Sequence, residues 1–206
     1  YKDTIIILDR TPPTIANITA PLTLNSPNGT EITINASGFA DNLSGVDRCT
    51  WQYKLGNGSW TGNTTGTIIE DVSEYKFSIG NNGTYTVRIT LYDKAGNSAY
   101  KETTVQIDYT PPTLGNLGLT ATTSSITATV TGASDNVKVG GYEFYIDGVF
   151  AVKQESNVYT FPNLDCAAPY VITYKVFDVF GNYTDMSPDK TKYTLAEVPI
   201  NLEATE

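Results

Sequence analysis

The side chains best equipped for chemistry in this 206-residue chain are oxygen donors, and they fall into two matching sets. Asp9, Asp41, Asn42, Asp93 and Asn97 form one set; Asp108, Asp135, Asn136, Asp178 and Asn182 form the other. Carboxylate and amide oxygens drawn from three separate segments suit Ca²⁺, which takes about six to eight oxygen ligands. Asp and Asn also cap turns through their own backbone, with no ion involved. The sequence leaves both readings open: a structural calcium, or turn chemistry with no cofactor at all.

Other chemistries are excluded more firmly. The chain has no His, which removes the commonest general base and the commonest metal ligand. No Ser-His-Asp or Cys-His arrangement can be built, and no Gly-rich phosphate loop or zinc spacing occurs. A self-made Lys–Asn cross-link is disfavoured too, because neither residues 14–24 nor 114–123 contain Lys. The two cysteines, Cys49 and Cys166, lie 117 residues apart, and free thiols are expected. The chain therefore reads as non-enzymatic. Its net charge of −9 and pI of about 4.4 argue against nucleic acid and against anionic membrane surfaces. No apolar run reaches the roughly 18 residues needed to span a bilayer, so membrane insertion is not expected.

The elements that must position the acidic sets follow from a repeat. Residues 100–113 match residues 1–14, 99 positions earlier, and each copy ends in Asp, one further residue and Thr-Pro-Pro-Thr. Proline fixes φ and cannot donate to a strand ladder, so Pro12-Pro13 and Pro111-Pro112 belong between strands. They mark domain junctions. The expected division is an orphan β-strand at 1–10, a sandwich at 11–108, a second sandwich at 109–195, and an acidic tail or linker at 196–206. The first strand is apolar on both faces, with Ile5 and Ile7 where the second copy has Thr104 and Gln106. It is expected to close a preceding repeat or to pair with another chain.

Strand periodicity runs through both domains, and no segment sustains a helical period. In the first domain, strands are expected over 14–24, 31–39, 49–55, 67–70, 75–79, 85–92 and 98–107. Ile32, Ile34, Ala36 and Gly38 share one face, as do Cys49, Trp51, Tyr53 and Leu55, and Tyr85, Val87, Ile89 and Leu91. The second domain repeats the plan at offsets of 94, 91 and 85 residues. Seven short strands per domain, separated by turn residues, define an all-β chain of two tandem Greek-key β-sandwiches. In that topology the chain enters at the pole where the second-to-third and sixth-to-seventh strand loops lie, so each acidic set should converge there.

With Tyr85, the turn Asp93-Lys94-Ala95-Gly96-Asn97 and then Ile107-Asp108-Tyr109-Thr110-Pro111-Pro112, the first domain resembles bacterial immunoglobulin-like modules. The second resembles a fibronectin type III module through residues 141–148 and through Tyr170 followed by Asp178-Val179-Phe180-Gly181-Asn182. The resemblance covers nearly the whole chain and implies fold, whereas such modules serve as spacers, adhesins and ligand binders alike. Antibody-type domains join two inner strands by a disulfide, and here each domain has a single Cys.

Within this frame Tyr85 and Tyr170 suit tyrosine corners, and Trp51 suits the core. Trp60 falls on no clear face and, if exposed, could stack on a sugar. Glycosylation sequons occur at Asn17, Asn28, Asn35, Asn42, Asn57, Asn63, Asn82 and Asn182. The chain begins at Tyr, and a mature product or an excised piece of a longer protein is expected. The expected role is a structural or adhesive module pair, acting as spacer or in cell-surface interactions of an extracellular, cell-surface or secreted glycoprotein. Its partners would be neighbouring domains of the same parent chain or identical subunits, with surface glycans as further candidates. The alternatives are a filament subunit assembled by β-strand addition through residues 1–9, and an accessory carbohydrate-binding module of a secreted polysaccharide-degrading enzyme.

Overall fold

The computed structural model describes residues 8–21, 23–24, 29–78 and 80–198. Regular structure among them is entirely β, in fifteen strands. The chain divides into two compact units, Tyr1–Tyr109 and Thr110–Glu206. Most of the orphan strand expected at 1–10, and Asn28, lie outside the described residues; Leu8, Asp9 and Arg10 are described and form no strand.

In the first unit β1 (Thr14–Thr19), β3 (Glu31–Ala40) and β6 (Val72–Ser78) form one sheet in the order β1-β3-β6. The facing sheet runs β2-β8-β7-β4-β5, from β2 (Thr23–Leu24), β8 (Ser98–Ile107), β7 (Gly83–Asp93), β4 (Val46–Leu55) and β5 (Thr61–Gly66). All pairings are antiparallel except β2 on β8. Alternation fills the space between the sheets. Tyr85, Val87, Ile89 and Leu91 of β7 meet Cys49 and Trp51 of β4, Ile32, Ile34 and Ala36 of β3, and Tyr75 and Phe77 of β6. Trp51 is fully buried; it stacks on Tyr75 at 5.5 Å between centroids and donates from Nε1 to Ser73 Oγ at 3.1 Å. Cys49 Sγ lies 3.2 Å from the same hydroxyl, and both cysteines are free thiols, Cys49 buried and Cys166 exposed.

Three expectations for this unit are corrected. The single strand over 14–24 is two strands in different sheets, because Pro21 interrupts the ladder between β1 and β2. The strand expected at 67–70 lies instead at β5, Thr61–Gly66. Glu70 and Asp71 take φ of 48° and 61° there, which ends any extended run, and Ile69 keeps only an isolated bridge to Val72. Gly38 does not continue the inward face of Ile32, Ile34 and Ala36. It adopts φ of 71°, is exposed, and shifts the parity of β3, so that Phe39 enters the core.

The second unit pairs β9 (Asn116–Ala121), β10 (Ile126–Thr131) and β13 (Val158–Phe161) in the order β13-β10-β9. Its other sheet runs β12-β11-β14-β15, from β12 (Val149–Gln154), β11 (Val139–Ile146), β14 (Pro169–Asp178) and β15 (Lys190–Tyr193). Phe144, Ile172, Tyr174, Val176, Ile126 and Ala128 form its core. Both units carry the predicted tyrosine contact. Tyr85 Oη accepts from the amides of Gly80 and Asn81 at 3.2 and 3.0 Å, and Tyr170 Oη accepts from the Asp165 amide at 2.9 Å. A phenol bonded to backbone at the rim holds the start of the strand against its preceding loop.

Candidate metal centre

Three segments of the first unit deliver the acidic residues. Asp9 precedes the Pro12-Pro13 pair, Asp41 opens the turn between β3 and β4, and Asp93 ends β7. One carboxylate oxygen from each lies within 4.8 Å of the other two. Asp93 is 1% exposed and Asp9 is 8% exposed, whereas Asp41 is half-buried.

Most of their oxygens are engaged by neutral donors. Asp9 Oδ1 accepts from the Thr11 amide and Oδ2 from the Ser44 amide, both at 3.0 Å. Asp93 Oδ1 accepts from the Asn97 amide and Oδ2 from Asn97 Nδ2, both at 2.8 Å. Asp41 Oδ2 accepts from the amides of Leu43 at 3.0 Å and Gly45 at 2.7 Å. Asp41 Oδ1, by contrast, is buried and has no hydrogen-bond partner. Among the described residues none of the three carboxylates takes part in an ion pair.

The electrostatics favour ionisation despite the crowding. The Thr11 amide, with Ser44, holds the Asp9 carboxyl below its usual range. For Asp41, burial pushes upward, and the amides of Leu43 and Gly45 outweigh it, so the net displacement is downward even with Asp9 alongside. Oxygen-only donors, three negative charges and one unpaired buried oxygen suit a hard divalent cation, and nothing here suits a soft metal.

The amide residues of the predicted set behave differently. Asn97 turns its nitrogen to the acids, donating to Asp93 Oδ2 and, at 3.2 Å, to the Asp9 carbonyl. It positions carboxylates and does not present an oxygen to an ion. Asn182 does the same for Asp178, at 2.7 Å. Asn42 and Asn136 are exposed turn residues. Sequence reasoning missed Ser44 and Gly45, whose amides fix Asp9 and Asp41; the Asp-x-x-Ser-Gly spacing of that turn was the available signal.

Within the second unit, carboxylate oxygens of Asp135 and Asp178 approach within 4.8 Å. Asp178 Oδ1 accepts from the amides of Phe180 at 2.8 Å and Asn182 at 2.9 Å, and Asp135 Oδ1 from those of Val137 at 2.8 Å and Lys138 at 2.9 Å. Asp135 Oδ2 is buried and without a hydrogen-bond partner, as Asp41 Oδ1 is. Asp108 is fully buried and accepts from Asn82 Nδ2 at 3.0 Å.

The remaining candidates sort by exposure. Asn17, Asn42, Asn57 and Asn63 are exposed, and Asn35 is half-buried. Asn82 and Asn182 spend their side-chain amides on Asp108 and Asp178, bonds that a glycan at either nitrogen would displace. Trp60 is not the free ring that sugar stacking would need. It is half-buried, with the Arg88 guanidinium 4.2 Å and the Lys54 ammonium 4.9 Å from its centroid. Arg88 also lies 4.4 Å from the centroid of Tyr100 and pairs with Glu102. An open groove of about 530 Å³ is lined by Trp51, Thr64, Glu70, Glu74 and Tyr75, but the two aromatic rings stack on each other.

The two units have the tandem fold of immunoglobulin-like and fibronectin type III domains. The solved structure of titin domains A168–A170 is similar with a TM-score of 0.59 at 14% identity, covering 89% of this chain and 67% of that one. The chicken CNTN1 FN1–FN3 domains give 0.52 at 15% identity, covering 89% and 68%. In sequence, the chain is 31% identical over 189 residues to chitinase A1 of Niallia circulans, covering 87% of this chain and 26% of that protein. It thus spans about a quarter of the length of that relative. No protein-family model matches the chain.

Proposed function

We propose that this chain is a non-catalytic pair of β-sandwich modules from an extracellular protein, serving to space or connect the parts it joins. The observation that carries this reading is that each unit has its own closed core, Trp51-centred in one and Phe144-centred in the other. A few residues around Pro111-Pro112 lead from one to the next. Units that complete their own cores can be set in series without help from a neighbour. The covered ring of Trp60 favours spacing over sugar binding.

The similarity to part of a chitinase favours a narrower second reading, in which the pair is an accessory segment of a polysaccharide-degrading enzyme. Depletion assays with insoluble chitin, cellulose and xylan, together with product analysis, test both. A spacer stays in the supernatant and releases no sugar from any of them. Retention on one polysaccharide with micromolar affinity would contradict the spacer reading in favour of a carbohydrate-binding module, and sugar release would contradict a non-catalytic role.

A further inference from the structure

We propose that Asn57 and Asn63, on the hairpin joining β4 to β5, carry N-linked glycans that shield the free edge of β5. The inference rests on the extracellular placement proposed above, because glycan transfer of this kind serves exported chains. A sequon needs two things of a folded surface: a free asparagine amide and a reachable hydroxyl two residues on. Among the described sequons, only Asn57 with Ser59 and Asn63 with Thr65 have both residues exposed and neither side chain hydrogen-bonded. Asn82 and Asn182 spend their amides on Asp108 and Asp178. Thr19, the hydroxyl partner of Asn17, donates to the Asn35 carbonyl, and Ser44, the partner of Asn42, donates to Asp41 Oδ2. Asn35 is half-buried in β3, the middle strand of its sheet.

β5 is the sheet edge of the first unit with most need of such cover. Free edges invite pairing with other chains and are blunted by charge, proline, shortness or a bulge. β6 carries Glu74 and Lys76, β2 has two residues, and the β1 carbonyls of Ile15 and Ala16 accept from Lys101 Nζ. β5, reading Thr-Gly-Asn-Thr-Thr-Gly at the end of its sheet, has neither charge nor proline. Its ladder is irregular between the pairs Tyr53–Thr61 and Trp51–Thr64, where Gly62 and Asn63 together oppose Gln52. Gly62 takes φ of 80° there, and the extra residue bends the strand. Asn63 thus stands at the bulge of an uncharged edge, and Asn57 lies in the loop leading to it. In the transfer, Asn Nδ2 bonds the anomeric carbon of an oligosaccharide carried on a polyprenyl phosphate or pyrophosphate. The anomeric C–O bond breaks with its electron pair going to the phosphate oxygen, and the amide nitrogen gives up one proton. The bulky, polar glycan then occupies space that a pairing strand would need.

Trypsin separates the sequons conveniently: residues 55–76 hold both Asn57 and Asn63, residues 77–88 hold Asn82, and residues 176–190 hold Asn182. Mass spectrometry of these peptides, from protein isolated from the culture fluid and cell surface of its own host, is the direct test. Peptide 55–76 should be found mainly with one or two glycans, and the other two peptides at their sequence masses. Extracellular protein with an unmodified 55–76 overturns this proposal and leaves the spacer reading standing. Protein confined to the cytoplasm and unmodified overturns both. The shielding is tested in the same host with the double variant Ser59→Ala, Thr65→Ala, which removes both sequons and keeps both asparagines. It should aggregate on heating several degrees below the glycosylated wild type, and wild-type chain made without glycans should aggregate as the variant does. Equal aggregation of the glycosylated wild type and the glycan-free wild-type chain would contradict a shielding role.

Discussion

Tyr145 shows how a single ionisable group is set by its surroundings. Burial pushes its phenol up to about 12, reinforced by the hydrogen bond it donates to Glu143 at 2.8 Å and by the charge of that carboxylate. A phenol with a raised folded-state pKa favours the fold in its neutral form. That contribution is complete below the ordinary value of 10.0 and is lost as pH rises from there towards about 12. Tyr145→Phe should therefore be less stable than wild type by a constant margin at pH 7–9, and the margin should shrink above pH 10. Urea midpoints of both proteins at several pH values check this; a margin that grows in alkali would contradict it. Cys49 follows the same rule: burial pushes its thiol up, although Ser73 and the Gly66 amide partly oppose this.

At the scale of elements, β5 is held by what it leaves out. An added Cβ at Gly66 would stand 2.5 Å from Cys49 Sγ and 2.7 Å from both Ser73 Oγ and Trp51 Nε1. These three atoms form the polar centre of the core, so the neighbours cannot swing aside as surface side chains do. Gly66→Ala should destabilise the first unit by about 1–3 kcal/mol through overpacking, read as a lower midpoint in tryptophan-monitored urea unfolding. An unchanged midpoint would mean that β5 retreats at no cost. The polarity of β5 also explains what the sequence concealed. Strand β7 was legible because Tyr85, Val87, Ile89 and Leu91 alternate cleanly with polar residues, whereas Thr61–Gly66 contains no apolar residue beyond glycine to set a period. The shift at Gly38 was hidden because alternation cannot register a positive φ. The meeting of Asp9, Asp41 and Asp93 was legible from topology, since their three segments share one end of the sandwich. The orientation of Asn97 was not, because an amide carries a donor and an acceptor on the same carbon, and only its neighbours decide which faces the acids.

For the molecule as a whole, the sequence repeat and the architecture agree on two all-β sandwiches, yet they are not copies in detail. The first has β2 beside β8 and carries β5 at the other edge of a five-stranded sheet; the second has a four-stranded sheet ending in β15. Each has an aromatic-rich interior, and among the described residues each core is built from side chains of its own unit. Domains of about 100 residues can sustain a core of this size alone. This self-sufficiency underlies the spacer reading, and one measurement tests it most directly: residues 1–109 and 110–206 produced separately and followed by thermal unfolding and amide proton dispersion. Each piece should give a single cooperative transition and a dispersed β-type spectrum. If either piece proves unfolded by itself, the account of two self-sufficient sandwiches set in series is contradicted.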